Sequence, residues 1–223
     1  MFKIILGRIG SDIWANSRLK SIKRSVKAKD SKILDLGCGS GYIGESYVKE
    51  NEVLFADINE EELKKVKSEN KIKVDALKMP FKKESFELVF CSDVLEHIKE
   101  DKKVLKNIYS ILKENGRAVI TLPAYSRFYG HHDRLIGHYR RYDKKEFSQM
   151  VKEIGFKVEY VKYNSWSMFF PWLVNQKYAK SNKTYIGKSK LETKITWLLD
   201  LISWVDSFIK MPFGIGLMFV LRK

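Results

Sequence analysis

From residue 32 onward, short apolar runs alternate with segments whose apolar positions recur every three or four residues. The runs predict β-strands at 32–37, 52–57, 71–75, 86–91 and 116–122. The helical periods predict helices at 42–49, 59–69 and 99–113. In the last of these, Val104, Leu105, Ile108, Ile111 and Leu112 share one side, and Asn115-Gly116 marks its end. A further helix is expected at 143–154, then a sixth strand at 156–163 and a seventh at 216–221. Strand–helix alternation of this kind gives an α/β fold with a mostly parallel sheet covered on both faces. The pattern reads as one domain over 1–223, with a core at 32–163 and a final strand in 214–223.

Two segments stand outside the alternation. Residues 1–31 form a basic N-terminal cover whose helix at 12–27 presents Ile13, Trp14, Leu19, Ile22 and Val26. That helix either packs on the domain or covers a ligand site. The second segment, 164–213, is a helical insertion between strands six and seven. It opens with an aromatic run at 166–174 and continues through a lysine-rich stretch to a helix at 191–210. On that helix Glu192, Thr196, Asp200, Ser203, Asp206, Ser207 and Lys210 cluster on one side, and the other side is apolar over about half the circumference. So wide a stripe needs a large apolar partner: the sheet edge, a second subunit in a homodimer, or a membrane surface with Trp197 and Trp204 at the interface. Asp200 and Asp206 argue against spanning.

The 44% apolar and 31% charged fractions are those of a globular chain. No run approaches the roughly 18 apolar residues of a membrane span. The start is too short in apolar residues for a secretory leader. Cys38 and Cys91 are too few for a disulfide framework. A cytoplasmic protein, or one peripheral to the inner face of the membrane, is expected. The net charge of +15 is segregated. Residues 1–34 hold nine Lys or Arg against two acids, 35–124 fifteen against seventeen, and 125–223 eighteen against eight. The slightly acidic core therefore sits between flanks suited to an anionic partner: a phosphate-bearing substrate, anionic lipid or nucleic acid.

The run at 32–41 carries Asp35 and then three glycines, Gly37, Gly39 and Gly41. It reads as a buried strand ending in a turn that brings bare backbone against a ligand, before a helix N-terminus. Gly39-Ser-Gly41-Tyr-Ile-Gly44 fits the dinucleotide pattern, a weak match by itself, and no Gly-Lys-Ser/Thr follows for a phosphate loop. Asp35 would repel a pyrophosphate and suits a ligand with a cationic end, such as a methionine amino group. Asp57 closes the second strand, where an acid accepts both ribose hydroxyls, and Asp75-Ala76 closes the third, within reach of an adenine amino group. Each acid has a plainer alternative: a turn cap at Asp35, a helix cap at Asp57, a loop acid at Asp75. Three at strand ends favour the ligand. Cys38 needs only its backbone, and Cys91 and His97 read as structural.

These residues resemble the class I S-adenosylmethionine-dependent methyltransferases, within them the quinone-biosynthesis-like type 11 group. The matching stretches are LDLGCGSG at 34–41, FADIN at 55–59, VDALKMPF at 74–81 and FCSDVLEHI at 90–98, and the likeness covers about residues 30–160. It implies a seven-stranded Rossmann-like sheet, mostly parallel with strand 7 antiparallel. It also implies S-adenosyl-L-methionine as cofactor and S-adenosyl-L-homocysteine as product. The methionine part falls to Asp35, Gly37, Cys38, Gly39 and Gly41, the ribose to Asp57 and the adenine to Asp75. Ile58, Ala76 and Ser92 complete the expected set.

Above the methyl group the chain places Pro123 to Tyr142, dense in titratable groups. A plain surface loop, or a metal site from His131, His132, Asp133 and His138, is an alternative reading; no second ligand cluster supports the metal, and none is expected. The favoured reading is an acceptor site. Arg140 and Arg141 fork onto phosphate or carboxylate beside His138 and Tyr142, and His132, oriented by Asp133, serves as general base. In-line methyl transfer can also proceed by positioning alone. The run from His132-Asp133 through Gly137-His138 to Arg140-Arg141-Tyr142 is similar to one in a subset of these enzymes associated with lipid-linked sugar or polyprenyl pathways. The expected acceptor is amphipathic and anionic, a small molecule or lipid-linked. The alternatives are RNA methylation, without the Asn/Asp-Pro-Pro-Tyr/Phe motif after strand four, and a non-catalytic cofactor-binding or dimerisation module.

Overall fold

The computed structural model describes residues 15–170, 172–173 and 201–223. The expected tryptophan Trp197 and most of the helix at 191–210 lie outside them. The chain divides into two compact units: Met1–Ser25 with Lys162–Gly216, and Val26–Val161 with Leu217–Lys223.

The larger unit is built on the sheet. Its strands are β1 (Lys32–Leu36), β2 (Glu52–Asp57), β3 (Lys71–Lys73), β4 (Phe86–Ser92), β5 (Leu112–Pro123), β6 (Lys157–Asn164) and β7 (Gly216–Arg222), in the order β3-β2-β1-β4-β5-β7-β6. Neighbours among β1 to β5 pair in parallel, with Asp35 opposite Phe55 on one side and Phe90 on the other. β7 runs against β5, since the Lys223 N–H just past its end donates to the Gly116 carbonyl near the start of β5. This is the seven-stranded mixed sheet expected from the sequence. The central strands are buried on both faces, which is why Ile33, Leu34, Val89, Phe90 and Cys91 form near-continuous apolar runs. Helix α3 (Asp101–Ile111) packs Val104, Leu105 and Ile108 into this core, and α5 (Lys144–Ile154) packs Phe147 and Val151.

Three helical boundaries differ from expectation. At 42–49 only the 3₁₀ turn Gly44–Ser46 forms, and the backbone there runs so close to β2 that a side chain at Gly44 would stand 2.6 Å from the Phe55 ring. The helix at 59–69 shortens to α2 (Glu60–Leu63), capped by Asn59, and turns beyond it bury Val66. α3 ends at Ile111, and Asn115, at φ 61°, lies in a bulge where β5 shifts register against β4 rather than at a helix end.

In the smaller unit, the described helical stretches include α1 (residues 15–25) and α6 (201–208). Arg24 donates to the Ser207 hydroxyl, and its guanidinium lies 3.2 Å from the centroid of the Phe208 ring. Lys162 is buried and donates to the Asp206 and Ser207 carbonyls, while the Asp206 carboxylate accepts the Ser167 N–H and hydroxyl. Burial pulls Lys162 down to about 8 and pushes Asp206 up. Helix α6 is inside out: Ser203, Asp206 and Ser207 are buried, while Leu201, Trp204 and Phe208 are 48%, 49% and 55% exposed. Among the described residues no helix is long and apolar enough to cross a membrane.

Candidate functional site

Strand order reverses between β1 and β4, and ligands of open α/β sheets bind beyond the carboxyl ends of strands at that point. A cavity of about 710 Å³ opens there. Gly37, Asp57, Ile58, Asp75 and Ala76 line one side. Asp93, Val94, His97, Ile98, Lys99 and Tyr139 line the other.

The glycine turn is shaped by backbone contacts. Gly37, at φ 69°, has no room for a side chain: a Cβ would lie 2.3 Å from Val94 Cγ2. Its N–H and that of Cys38 donate to the Ala56 carbonyl at 2.7 and 3.1 Å, tying the turn to β2. Gly39, at φ 53°, faces open space. Its N–H donates to Asp57 Oδ2 at 2.8 Å, and Asp57 Oδ1 accepts the Asn59 N–H at 2.8 Å. Asp57 is thereby aimed by two backbone donors, and each oxygen keeps a lone pair for a ligand hydroxyl. Asp75 is held likewise, Oδ1 accepting the Leu77 N–H at 2.8 Å. Exposed Ile58 with Val74, Ala76 and Leu77 forms the apolar wall beside these two acids.

Two expected members of this set face elsewhere. Asp35 is buried and its Oδ2 accepts the Gly44 N–H at 2.9 Å, so the carboxylate braces the turn from within. Ser92 Oγ shares a 2.6 Å hydrogen bond with Thr121 Oγ1, whose hydroxyl donates to Asp93 Oδ1 at 2.9 Å. Asp93, at φ 54°, lines the cavity in place of Ser92. A non-glycine residue costs of order 1–3 kcal/mol in that conformation, and such strain clusters at binding sites. The signal for Asp93 was present in the sequence: it follows β4 as Asp57 closes β2. Cys38 and Gly41 shape the turn without lining the cavity; burial, then Asp35 and Asp57, push the Cys38 thiol up.

The loop from Pro123 to Tyr142 corrects the acceptor-site expectation. Asp133, in α4 (His131–Leu135), is fully buried. Its Oδ1 is ion-paired with Arg141, 2.8 Å from Nε, and accepts His138 Nδ1 at 3.2 Å, and its Oδ2 accepts the Gly130 N–H at 2.9 Å. The hydrogen bonds to His138 and Arg141 outweigh burial and hold its carboxyl well below the usual range. Asp133 therefore orients His138 and not His132, which is exposed and outside the cavity lining. Arg140 pairs with Asp101 Oδ2 at 2.9 Å and donates to the Lys99 carbonyl. Tyr142 donates to the same Asp101 oxygen at 2.9 Å. The physical reason is desolvation: a buried carboxylate requires cations around it, and Arg140 and Arg141 serve that need rather than reaching for a ligand. Lys99 is the basic side chain that does line the cavity.

Residues 34–120 match the type 11 methyltransferase domain family. The chain is 36% identical over 102 residues to an uncharacterised protein of Methanocaldococcus jannaschii, covering 45% of this chain and 44% of that one. It is 33% identical over 135 residues to the demethylmenaquinone methyltransferase of Lactococcus lactis subsp. lactis, covering 52% of each. The chain thus spans about half the length of the curated relatives it matches. A crystal structure of a SAM-dependent methyltransferase from Archaeoglobus fulgidus superposes with a TM-score of 0.62 at 19% identity, covering 93% of this chain and 92% of that one. The cavity fits the cofactor of this fold: Asp57 for a ribose, Asp75 and an apolar wall for adenine, and open space at Gly39 for the methionine end. When bound, S-adenosylmethionine supplies an electrophilic methyl on a sulfonium. Residues 34–120 thus carry the methyltransferase domain of the type 11 family, on a fold shared with solved S-adenosylmethionine-dependent methyltransferases.

Proposed function

We propose that the protein transfers the methyl group of S-adenosylmethionine to an amphipathic, anionic acceptor, lipid-linked or small, taken at a membrane surface. The inverted helix α6 carries this reading. A helix normally turns its apolar face inward. Here the serines and Asp206 are inside and Leu201, Trp204 and Phe208 outside, with Ile209 following at 41% exposure. Arg24 lies over the Phe208 ring, so a fixed cation sits within an aromatic patch. An apolar surface with interfacial tryptophan and embedded positive charge is the chemistry of peripheral contact with anionic lipid. The Lactococcus lactis relative is itself named for demethylmenaquinone. In the cavity, Lys99 supplies positive charge for an acceptor's anionic group.

The test is incubation of the purified chain with labelled S-adenosylmethionine and separated lipid and RNA extracts, alongside flotation on vesicles containing phosphatidylglycerol. Label in the lipid fraction and co-flotation that falls at least fivefold in the Trp204→Ser/Phe208→Ser variant are expected. Label confined to RNA, or a parent protein that does not float, overturns the reading.

A further inference from the structure

Glu96, His97 and His138 form a cluster at the cavity wall that the cofactor assignments leave unused. Glu96 and His97 belong to the 3₁₀ turn Leu95–His97 that follows β4, and His138 follows α4. One donor atom from each lies within 4.8 Å of the other two. Glu96 Oε1 is 3.9 Å from His138 Nε2, and the two imidazoles meet edge to face with centroids 4.6 Å apart. The metal set considered from the sequence, His131, His132, Asp133 and His138, shares only His138 with this cluster.

The second contacts of the two rings are what a ligand set requires. His138 Nδ1 is 3.2 Å from Asp133 Oδ1, and His97 Nδ1 is 3.3 Å from the Gly137 carbonyl. Each ring donates through Nδ1 to a fixed acceptor, which leaves the Nε2 lone pair as its remaining donor. Carboxylate–histidine and carbonyl–histidine pairs of this kind orient metal-binding imidazoles and fix their tautomer. Asp133 is itself locked by Arg141 and the Gly130 N–H, so the support is rigid. His97 is exposed and lines the cavity, whereas Glu96 and His138 are buried behind it.

We propose that Glu96, His97 and His138 bind a divalent transition metal ion, of the zinc or manganese type, in the wall of the cavity. Two imidazoles and one carboxylate match the preferences of such ions, and three protein ligands leave a position open toward the cavity. That position takes an acceptor hydroxyl. The ion lowers the hydroxyl's pKa, and its proton passes to solvent. The oxygen then forms the new bond to the methyl carbon while the sulfur–carbon bond breaks and its electron pair returns to sulfur, leaving a neutral thioether. The inference deepens the methyl-transfer reading of this cavity and selects oxygen as the acceptor atom.

Metal binding is tested apart from transfer. The untagged full chain, stripped with chelator and desalted, is titrated calorimetrically with zinc chloride and with manganese chloride. Cobalt chloride is added in parallel, and its visible absorption is recorded. One equivalent bound and a cobalt spectrum of low coordination number are expected. His97→Ala, an exposed position, should weaken zinc at least tenfold with an unchanged melting temperature. No binding by the parent chain, or zinc affinity unaltered in His97→Ala and in Glu96→Gln, overturns the site. A chain that binds S-adenosylhomocysteine but no metal refutes this inference alone. One that binds metal but transfers no methyl refutes the activity and leaves the site standing.

Discussion

Asp57 closes β2 and Asp75 lies two residues past β3, while Asp133, Arg140 and Arg141 lie in the segment after β5. On paper both groups are equally suited to a ligand. In the structure the strand-end acids face the cavity, each steadied by backbone N–H groups. The loop charges turn inward and satisfy one another. The difference is one of constraint. A strand end is aimed by the sheet, and a carboxylate there has a short list of backbone partners. A loop is free to fold around its own charges, and desolvation rewards the arrangement in which they neutralise each other. Density of titratable residues in a loop is therefore weak evidence for a site, whereas an acid at a strand terminus in a switch-point sheet is strong evidence.

Removing Asp133 should break the inward set with the largest effect. Asp133→Asn keeps the shape but leaves the Arg141 guanidinium, with only 6% of its side chain exposed, without its carboxylate. Breaking a buried pair from one side costs about 3–5 kcal/mol. For a chain of this size that lowers the melting temperature by roughly 10 °C. A shift under about 2 °C in a thermal melt would show that the loop charges are freer than their contacts imply.

Lys162 extends the same rule to the smaller unit and makes it visible in pH. Burial outweighs the attraction of Asp206 and brings the amine to about 8, with Arg24 and Lys210 acting in the same direction as burial. An unfolded chain keeps this proton to about 10.4. Between those values the unfolded state binds a proton the folded state has released, so stability rises with pH, by about 3 kcal/mol in all. Denaturant titrations from pH 7.5 to 10.5 should show that rise, and the difference between wild type and Lys162→Met isolates it from the other lysines. Parallel curves for the two proteins would mean that the amine is solvated.

Asp57→Ala should weaken S-adenosylhomocysteine by about 30-fold, or about 2 kcal/mol, the scale of hydrogen bonds to a charged group. Calorimetry measures this directly, and an unchanged affinity would place the ribose elsewhere. Asp133→Asn, measured below its melting point, should leave that affinity within threefold, so the pair of variants separates an outward charge from an inward one.

The strands were legible because buried parallel strands must be nearly continuous apolar runs, as Leu88 to Cys91 is. Asp57 and Asp75 were legible from their place after such runs. Asp35 was not, since a carboxylate two residues before a glycine turn reads identically whether it faces a ligand or braces Gly44. Ser92 and Asp93 differ by one position and face opposite ways, and only the positive φ at Asp93 decides which lines the cavity. The partners of Asp133 were hidden because they depend on which loop residues are buried, and spacing carries no record of that. The inverted face of α6 was half legible: periodicity showed two faces without saying which one lies inside.

His132 gives the smallest expected effect and the sharpest discrimination. Its imidazole is exposed, lies outside the cavity lining and sits beside an acid whose hydrogen bonds go to Gly130, His138 and Arg141. Partial desolvation by the neighbouring loop is the main cause holding it below the ordinary imidazole range; Asp133 opposes this, and Arg141, His138 and His131 add to it. A base acts only within hydrogen-bond reach of the proton it takes. His132→Ala should therefore change kcat/KM for methyl transfer by less than threefold, under about 0.7 kcal/mol of barrier, with the acid limb of the pH–rate profile in place. A loss of tenfold or more, with that limb removed, would mean that the loop swings His132 over the methyl group during turnover. The inward charges would then be a resting arrangement, and the contrast with the strand-end acids would hold only between turnovers.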